Sequence, residues 1–211
     1  MGRFRGGQSA GEAAYNVKIL LGSHAHADHM DGNALVRKLT GAKVFVMQGD
    51  YKVIAIGGAG QFLYKAKWAA CPVDRVLKDG DQVTLGDATL TARLTPGHTP
   101  GCTTWTLQAN DAGKTYNAVI IGSPNVNEGY ELVNNAEYPS IAKDFAKTFQ
   151  VLKSLRCEIF LGAHGAYYGM EEKQKRMAAG GPNPFVDPEG CRAYIEDREK
   201  HYLDTLAKQK Q

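Results

Sequence analysis

Apolar positions along this chain change their spacing several times, and each change marks an element. Val17-Lys18-Ile19-Leu20-Leu21 is a short apolar run, the pattern of a buried strand. Asp31-Gly32-Asn33 then reads as the entry to a helix over 33–39, which Thr40-Gly41 ends, and residues 42–47 return to strand. Strand-helix-strand predicts a sheet covered by helices on that face. The middle has another texture: 82–85, 88–94, 103–107 and 118–121 are short β-like runs, punctuated by Gly86-Asp87, Pro96-Gly97 and the turn at 111–114. Beyond them Ile141, Phe145, Phe149, Leu152 and Leu155 recur at helical spacing, with Pro139 in the first turn. Residues 157–161 read as strand again, and a long helix starts near Asp187-Pro188. With no internal repeat and no linker, the order predicts one α/β domain over 17–211, a sandwich of two sheets flanked by helices, behind a flexible leader over 1–16.

The candidate chemistry sits where the first strand gives way to the first helix. Residues 24–29 are His-Ala-His-Ala-Asp-His, three imidazoles and a carboxylate in six positions. Clustered imidazoles repel once protonated, whereas neutral imidazole and carboxylate are preferred ligands of a divalent metal, zinc above all. If the chain stays extended after the strand, His24 and His26 face one side together, and Asp28 and His29 follow where it turns into the helix. That arrangement suits two adjacent metals better than one.

Strand, His-x-His-x-Asp-His, helix resembles the signature of the metallo-β-lactamase superfamily of hydrolases. Thr95-Pro96-Gly97-His98-Thr99-Pro100-Gly101 resembles its second metal motif, and Ala163-His164-Gly165, after Ile159-Phe160-Leu161, resembles its last ligand position. Five of the six histidines fall on these three motifs; His201 lies in a charged C-terminal stretch and reads as solvated. Many relatives, such as glyoxalase II-like and lactone-cleaving enzymes, carry a metal-bridging Asp after the strand that here ends at Ile121. This chain has Gly122-Ser123-Pro124-Asn125 instead, which is similar to subclass B3 metallo-β-lactamases. The stretch from Asn125 to Leu132 and the pair Cys157 and Cys191 are similar to that subclass too. Family members carry several strands ahead of the first motif, where this chain has 23 residues, so it reads as N-terminally shortened.

The resemblance implies an αββα fold of two mixed sheets flanked by helices, lacking the first strands. It assigns His24, His26 and His98 to one zinc, and Asp28, His29 and His164 to a second, all six being catalytic. The implied activity is opening of the β-lactam ring of penicillins, cephalosporins and carbapenems by a zinc-bound hydroxide, giving antibiotic resistance. Asp28 would also orient the nucleophile. Ser123 would bond the substrate carboxylate or a zinc-bound water, or simply cap its turn; Asn125 is a second candidate for substrate binding. Another hydrolase of the fold (lactone, thioester or phosphodiester) and a zinc-binding inactive fragment are the alternatives. The disulfide implied for Cys157–Cys191 requires an oxidising compartment, hence a periplasmic or secreted protein; Cys71 and Cys102 read as free packing residues.

Composition narrows the rest. A net charge of +3 spread over mixed acids and bases, without a basic stripe, excludes a nucleic-acid surface. No run of 18 or more apolar residues exists to span a bilayer, and no apolar segment of a secretory signal follows Met1–Gln8. The segment Gly57-Gly58-Ala59-Gly60 lacks the Lys-Ser/Thr ending of a phosphate loop. It predicts a flap whose Phe62 and Tyr64 either close over substrate or pack in the core. A sheet edge left open by missing strands would favour self-association.

Overall fold

The computed structural model describes residues 16–211, so most of the leader expected over 1–16 lies outside the described residues. Two sheets stack face to face. The first has the order β1 (Ile19–Leu21), β2 (Lys43–Met47), β3 (Arg75–Leu77). Both of its pairings are parallel, so among the described residues it is not the mixed sheet expected. The second runs β4 (Gln82–Leu85), β5 (Ala88–Leu94), β6 (Thr103–Asp111), β7 (Lys114–Ile121), β8 (Ile159–Gly162); it is antiparallel up to β7 and parallel between β7 and β8.

Strand alternation assigns each side chain to a layer. On β2, Val44 and Val46 point outward and pack with Met30, Ile54 and Cys71 under α1 (Ala27–Met30), α2 (Asn33–Thr40) and α3 (Tyr51–Ala55). Their neighbours Phe45 and Met47 point inward, with Ile19 and Leu21 of β1 and Leu77 of β3. There they meet Val83, Leu90, Ala92, Trp105 and Ile120 of the second sheet. On β7, Val119 and Ile121 face the other way, into the largest core, where α4 (Ile141–Ser154) contributes Phe145, Phe149 and Leu152 and α6 (Pro188–Gln209) contributes Cys191, Ile195 and Tyr202. Helices, sheet, sheet, helices is the αββα order.

Helix ends follow local chemistry. Gly41 closes α2 in the left-handed conformation (φ 72°), its N–H on the carbonyl of Arg37. Asp187 caps α6, its carboxylate accepting from the N–H of Gly190, with Pro188 at the first helical position. Pro139 stands outside α4 rather than in its first turn, because Ser140 is the N-cap. The strand expected over 157–161 starts at Ile159, Cys157 instead joining Cys191 in a disulfide that ties the approach to β8 onto α6. Cys71 and Cys102 are free and buried. α5 (Met170–Ala179) packs only one residue deeply, Lys173, whose ammonium pairs with Asp187 at 2.7 Å and lies over the rings of Phe160, Tyr168 and Phe185.

Candidate metal centre

The candidate ligands gather at the C-terminal ends of strands. β5, β7 and β8 run the same way, so the loops after them emerge at one end of the second sheet. His98 follows β5, Ser123 follows β7 and His164 follows β8. The loop after β1, carrying residues 24–29, reaches that end from the first sheet. It is pinned there by the Trp105 indole, whose N–H donates to the Gly22 carbonyl (3.1 Å), and by the Thr103 N–H on the Ser23 carbonyl (2.7 Å).

The backbone then dictates which side chains meet. His26 is extended (φ −114°, ψ 156°), and its carbonyl accepts the first bonds of α1, from His29 and Met30. His24 and His26 therefore project before the helix, Asp28 and His29 from it. His98 is held from several sides. Gly97 before it has φ 125°, and a Cβ there would lie 2.7 Å from the Phe145 ring, so only glycine fits. Tyr130 Oη–H donates to the His98 carbonyl (2.7 Å), and Thr148 Oγ1–H to the Pro96 carbonyl (2.6 Å).

Two groups result, each with its ligand atoms within 4.8 Å of one another: His24, His26 and His98, all buried, and Asp28, His29 and His164, more open. In the first, the rings stand 4.6–4.7 Å apart at steep mutual angles, edge to face. His98 Nδ1–H donates to the Asn125 carbonyl (2.8 Å), which leaves Nε2 as its lone-pair nitrogen. The Nε2 atoms of His24 and His26 are buried and have no hydrogen-bond partner. Such orphaned polar atoms are costly unless something binds them. In the second group His29 Nε2 and His164 Nε2 face each other at 3.0 Å, and Asp28 Oδ2 lies 3.2 Å and 3.5 Å from them. A convergent set of imidazole nitrogens with one carboxylate fits zinc, and three protein ligands per group leave positions open, the mark of a catalytic rather than a structural site.

Electrostatics favour the neutral form of four of these imidazoles. Burial, reinforced by neighbouring histidines, holds His24 well below its ordinary value. Burial pushes His26 down to about 4 and His98 to about 3. His29 is lowered as well, by burial first, although Asp28 opposes the shift.

A cavity of about 500 Å³ opens over both groups, with Tyr64, Asn127 and Tyr167 on its walls. Tyr64 is half exposed and stands edge-on to His26 at 5.0 Å, its hydroxyl accepting from Asn127 Nδ2 (2.6 Å). Phe62 lies elsewhere: its ring packs on Tyr130 and Tyr138, in the core. Ser123 is 1% exposed and shares a hydrogen bond with Tyr167 Oη (3.1 Å), so it lies behind the wall rather than in it. Asn125 turns its side chain toward Ser123 (3.4 Å) and its carbonyl to His98. Ala66, Asn127 and Tyr167 are wall residues not singled out from the sequence; Tyr167, three residues after His164 in a 3₁₀ turn (Gly165–Tyr168), is the most findable of them. A larger hollow of about 630 Å³ lies over Thr89, Thr91 and Thr106 of the second sheet and contains none of these groups.

Comparison with known proteins gives three findings. The model of the metallo-β-lactamase superfamily matches residues 3–112. The native FEZ-1 metallo-β-lactamase from Legionella gormanii is 49% identical with a TM-score of 0.90, covering 92% of this chain and 75% of that one. BJP-1, a subclass B3 metallo-β-lactamase of Bradyrhizobium japonicum, is 36% identical with a TM-score of 0.84, covering 92% and 74%. Among curated proteins, mitochondrial persulfide dioxygenase ETHE1 of Bos taurus is 31% identical over 118 residues, and hydroxyacylglutathione hydrolase of Hyphomonas neptunium 29% over 121. Those matches span 56–57% of this chain but only 39% and 41% of the relatives' lengths.

Proposed function

This chain belongs to the metallo-β-lactamase superfamily, and we propose that it is a two-zinc hydrolase that opens β-lactam rings. The observation that carries the reading is the pair of three-ligand groups under one cavity, with Ser123 rather than a bridging carboxylate at the end of β7. Similarity to two β-lactamases over about three quarters of their length supports the same choice.

Zinc bound at the two groups would supply Lewis acidity toward the ring carbonyl and acidify a water to near-neutral pH. The rest falls to this chain's own residues. Asp28 has a 60% exposed side chain with Oδ2 turned to the histidines, so it can accept a hydrogen bond from the attacking water and hold it in line. Tyr64 Oη already accepts from Asn127, so its own proton is free to donate to a substrate carbonyl or carboxylate. Ser123 acts through Tyr167, fixing where that hydroxyl points, and Asn125 orients His98. The substrate class would be penicillins, cephalosporins and carbapenems, with resistance as the consequence. The disulfide supports a periplasmic or secreted site of action, and no helix among the described residues is long and apolar enough to cross a membrane.

Similarity to hydroxyacylglutathione hydrolase supports a second reading, thioester hydrolysis. Turnover of a chromogenic cephalosporin and of a glutathione thioester by the zinc-loaded protein, each with and without chelator, separates the two. Chelator-sensitive cephalosporin turnover is expected; thioester turnover alone would reverse the assignment.

A further inference from the structure

Among the described residues Asp50 is the one fully buried carboxylate, and no step above uses it. It follows β2 at the start of α3, is 2% exposed, and accepts three hydrogen bonds. Oδ2 takes the Ala25 N–H (2.9 Å) and the Thr99 hydroxyl (2.6 Å); Oδ1 takes the Gly101 N–H (2.7 Å). All three donors flank candidate ligands. Ala25 sits between His24 and His26, Thr99 directly follows His98, and Gly101 lies two residues further. One carboxylate therefore joins the loop after β1, in the first sheet, to the loop after β5, in the second.

The packing around it leaves little slack. A Cβ on Gly101 would lie 2.4 Å from the Asp50 nitrogen and 2.7 Å from its Cγ, and one on Gly49 would lie 2.3 Å from the Pro100 carbonyl group. The two backbones thus touch without side chains between them, and Asp50 is seated in the contact. A buried carboxylate is retained at such a place only if its hydrogen bonds compensate the lost hydration. Here every donor comes from a loop that carries imidazoles.

We infer that Asp50 is a positioning residue of the metal centre: by accepting from Ala25, Thr99 and Gly101 it fixes His24, His26 and His98 relative to one another, and so sets the zinc affinity of that group. The inference rests on the zinc reading above, not on the identity of the substrate. Partners that orient metal ligands from behind are worth about 10–100-fold in metal affinity when removed.

The test is a titration of the full chain with Zn²⁺ against a chromogenic chelator at pH 7, resolving the two binding steps, with far-UV circular dichroism as a check on folding. Asp50→Asn keeps the volume but turns an NH₂ toward an N–H or hydroxyl donor. It should weaken one zinc step by about 10–100-fold and spare the other. Thr99→Val, which removes one donor and leaves the carboxylate, should weaken the same step by a smaller factor, and Thr99→Ser should restore it. A folded Asp50→Asn protein with both zinc steps unchanged would overturn the inference, even if it melts earlier. If Asp50→Asn does not fold, the Thr99 pair decides: equal zinc binding by Val and Ser overturns it. A wild-type chain that takes up no zinc would sink the zinc reading and this inference together, whereas a zinc-binding chain without β-lactam turnover would count against the substrate alone.

Discussion

Acid should destabilise the metal-free protein through its buried imidazoles. His26 and His98 are held at about 4 and about 3 in the folded chain, mainly by burial, against 6.5 for an ordinary histidine. Below pH 6.5 the unfolded chain therefore takes up protons that the folded chain refuses, so stability is full above about 6.5 and falls as pH drops, down to about 4 for His26 and about 3 for His98. At pH 5.5 each of the two costs about 1.4 kcal/mol, or about 3 kcal/mol together; His24, lowered by the same burial, adds in the same direction, while Asp50, raised to about 6 mainly by burial, takes up a proton in the fold and offsets a smaller part of the loss, under about 1 kcal/mol. Against a total stability of about 5–15 kcal/mol for a domain, that loss is large. Urea unfolding of chelator-stripped protein at pH 7.5 and 5.5 measures it directly. Zinc-loaded protein should resist acid further, because the metal binds the neutral form that burial already favours. If the metal-free protein unfolds with equal free energy at both pH values, the imidazoles are not packed and neutral as described, and the reasoning fails.

Other expectations follow from the same geometry. Elemental analysis of the zinc-saturated protein should give about two zinc ions per chain, one for each group of three ligands; one or fewer would mean that the groups do not act as separate sites. Asp28→Ala should lower β-lactam turnover at least about a hundredfold, while Ser123→Ala, which loosens Tyr167 and the Asn125 side chain but removes no metal ligand, should change KM more than kcat. Loss of zinc from Ser123→Ala would show that the serine is itself a ligand. Replacing Cys157 and Cys191 by serine opens a loop of 34 residues and should cost about 3–4 kcal/mol in urea unfolding without altering zinc content; an unchanged midpoint would show that the bond constrains little.

What could be read from the chain followed the physics of each element. The long strands and α4 carry regular apolar spacing, and their positions were visible. β3, with three residues, and α3, with five, are too short for any period to show. α5 escaped notice because Glu-Glu-Lys-Gln-Lys-Arg offers no apolar face; its anchor is a lysine seated among aromatic rings. The candidate ligands were legible because five histidines fall on three motifs. Which residues line the cavity was not, because Phe62 and Tyr64, two positions apart, end in different environments: one in the core, the other over His26. Asp50 gave no signal at all. A lone aspartate after a strand has no spacing to betray it, and only the meeting of two loops reveals what it holds.

Each candidate ligand group draws from both sheets. His24, His26, Asp28 and His29 follow β1, whereas His98 and His164 follow β5 and β8. Neither sheet can present a complete set alone, so a nascent chain with only one sheet formed offers a visiting ion two ligands or fewer for each group. Tight capture must wait until the inward faces around Trp105 and Phe45 have closed. Metal uptake thereby becomes a report on completed assembly: chains that stall half-folded stay metal-poor, lack the stabilisation that binding brings, and remain open to proteolysis.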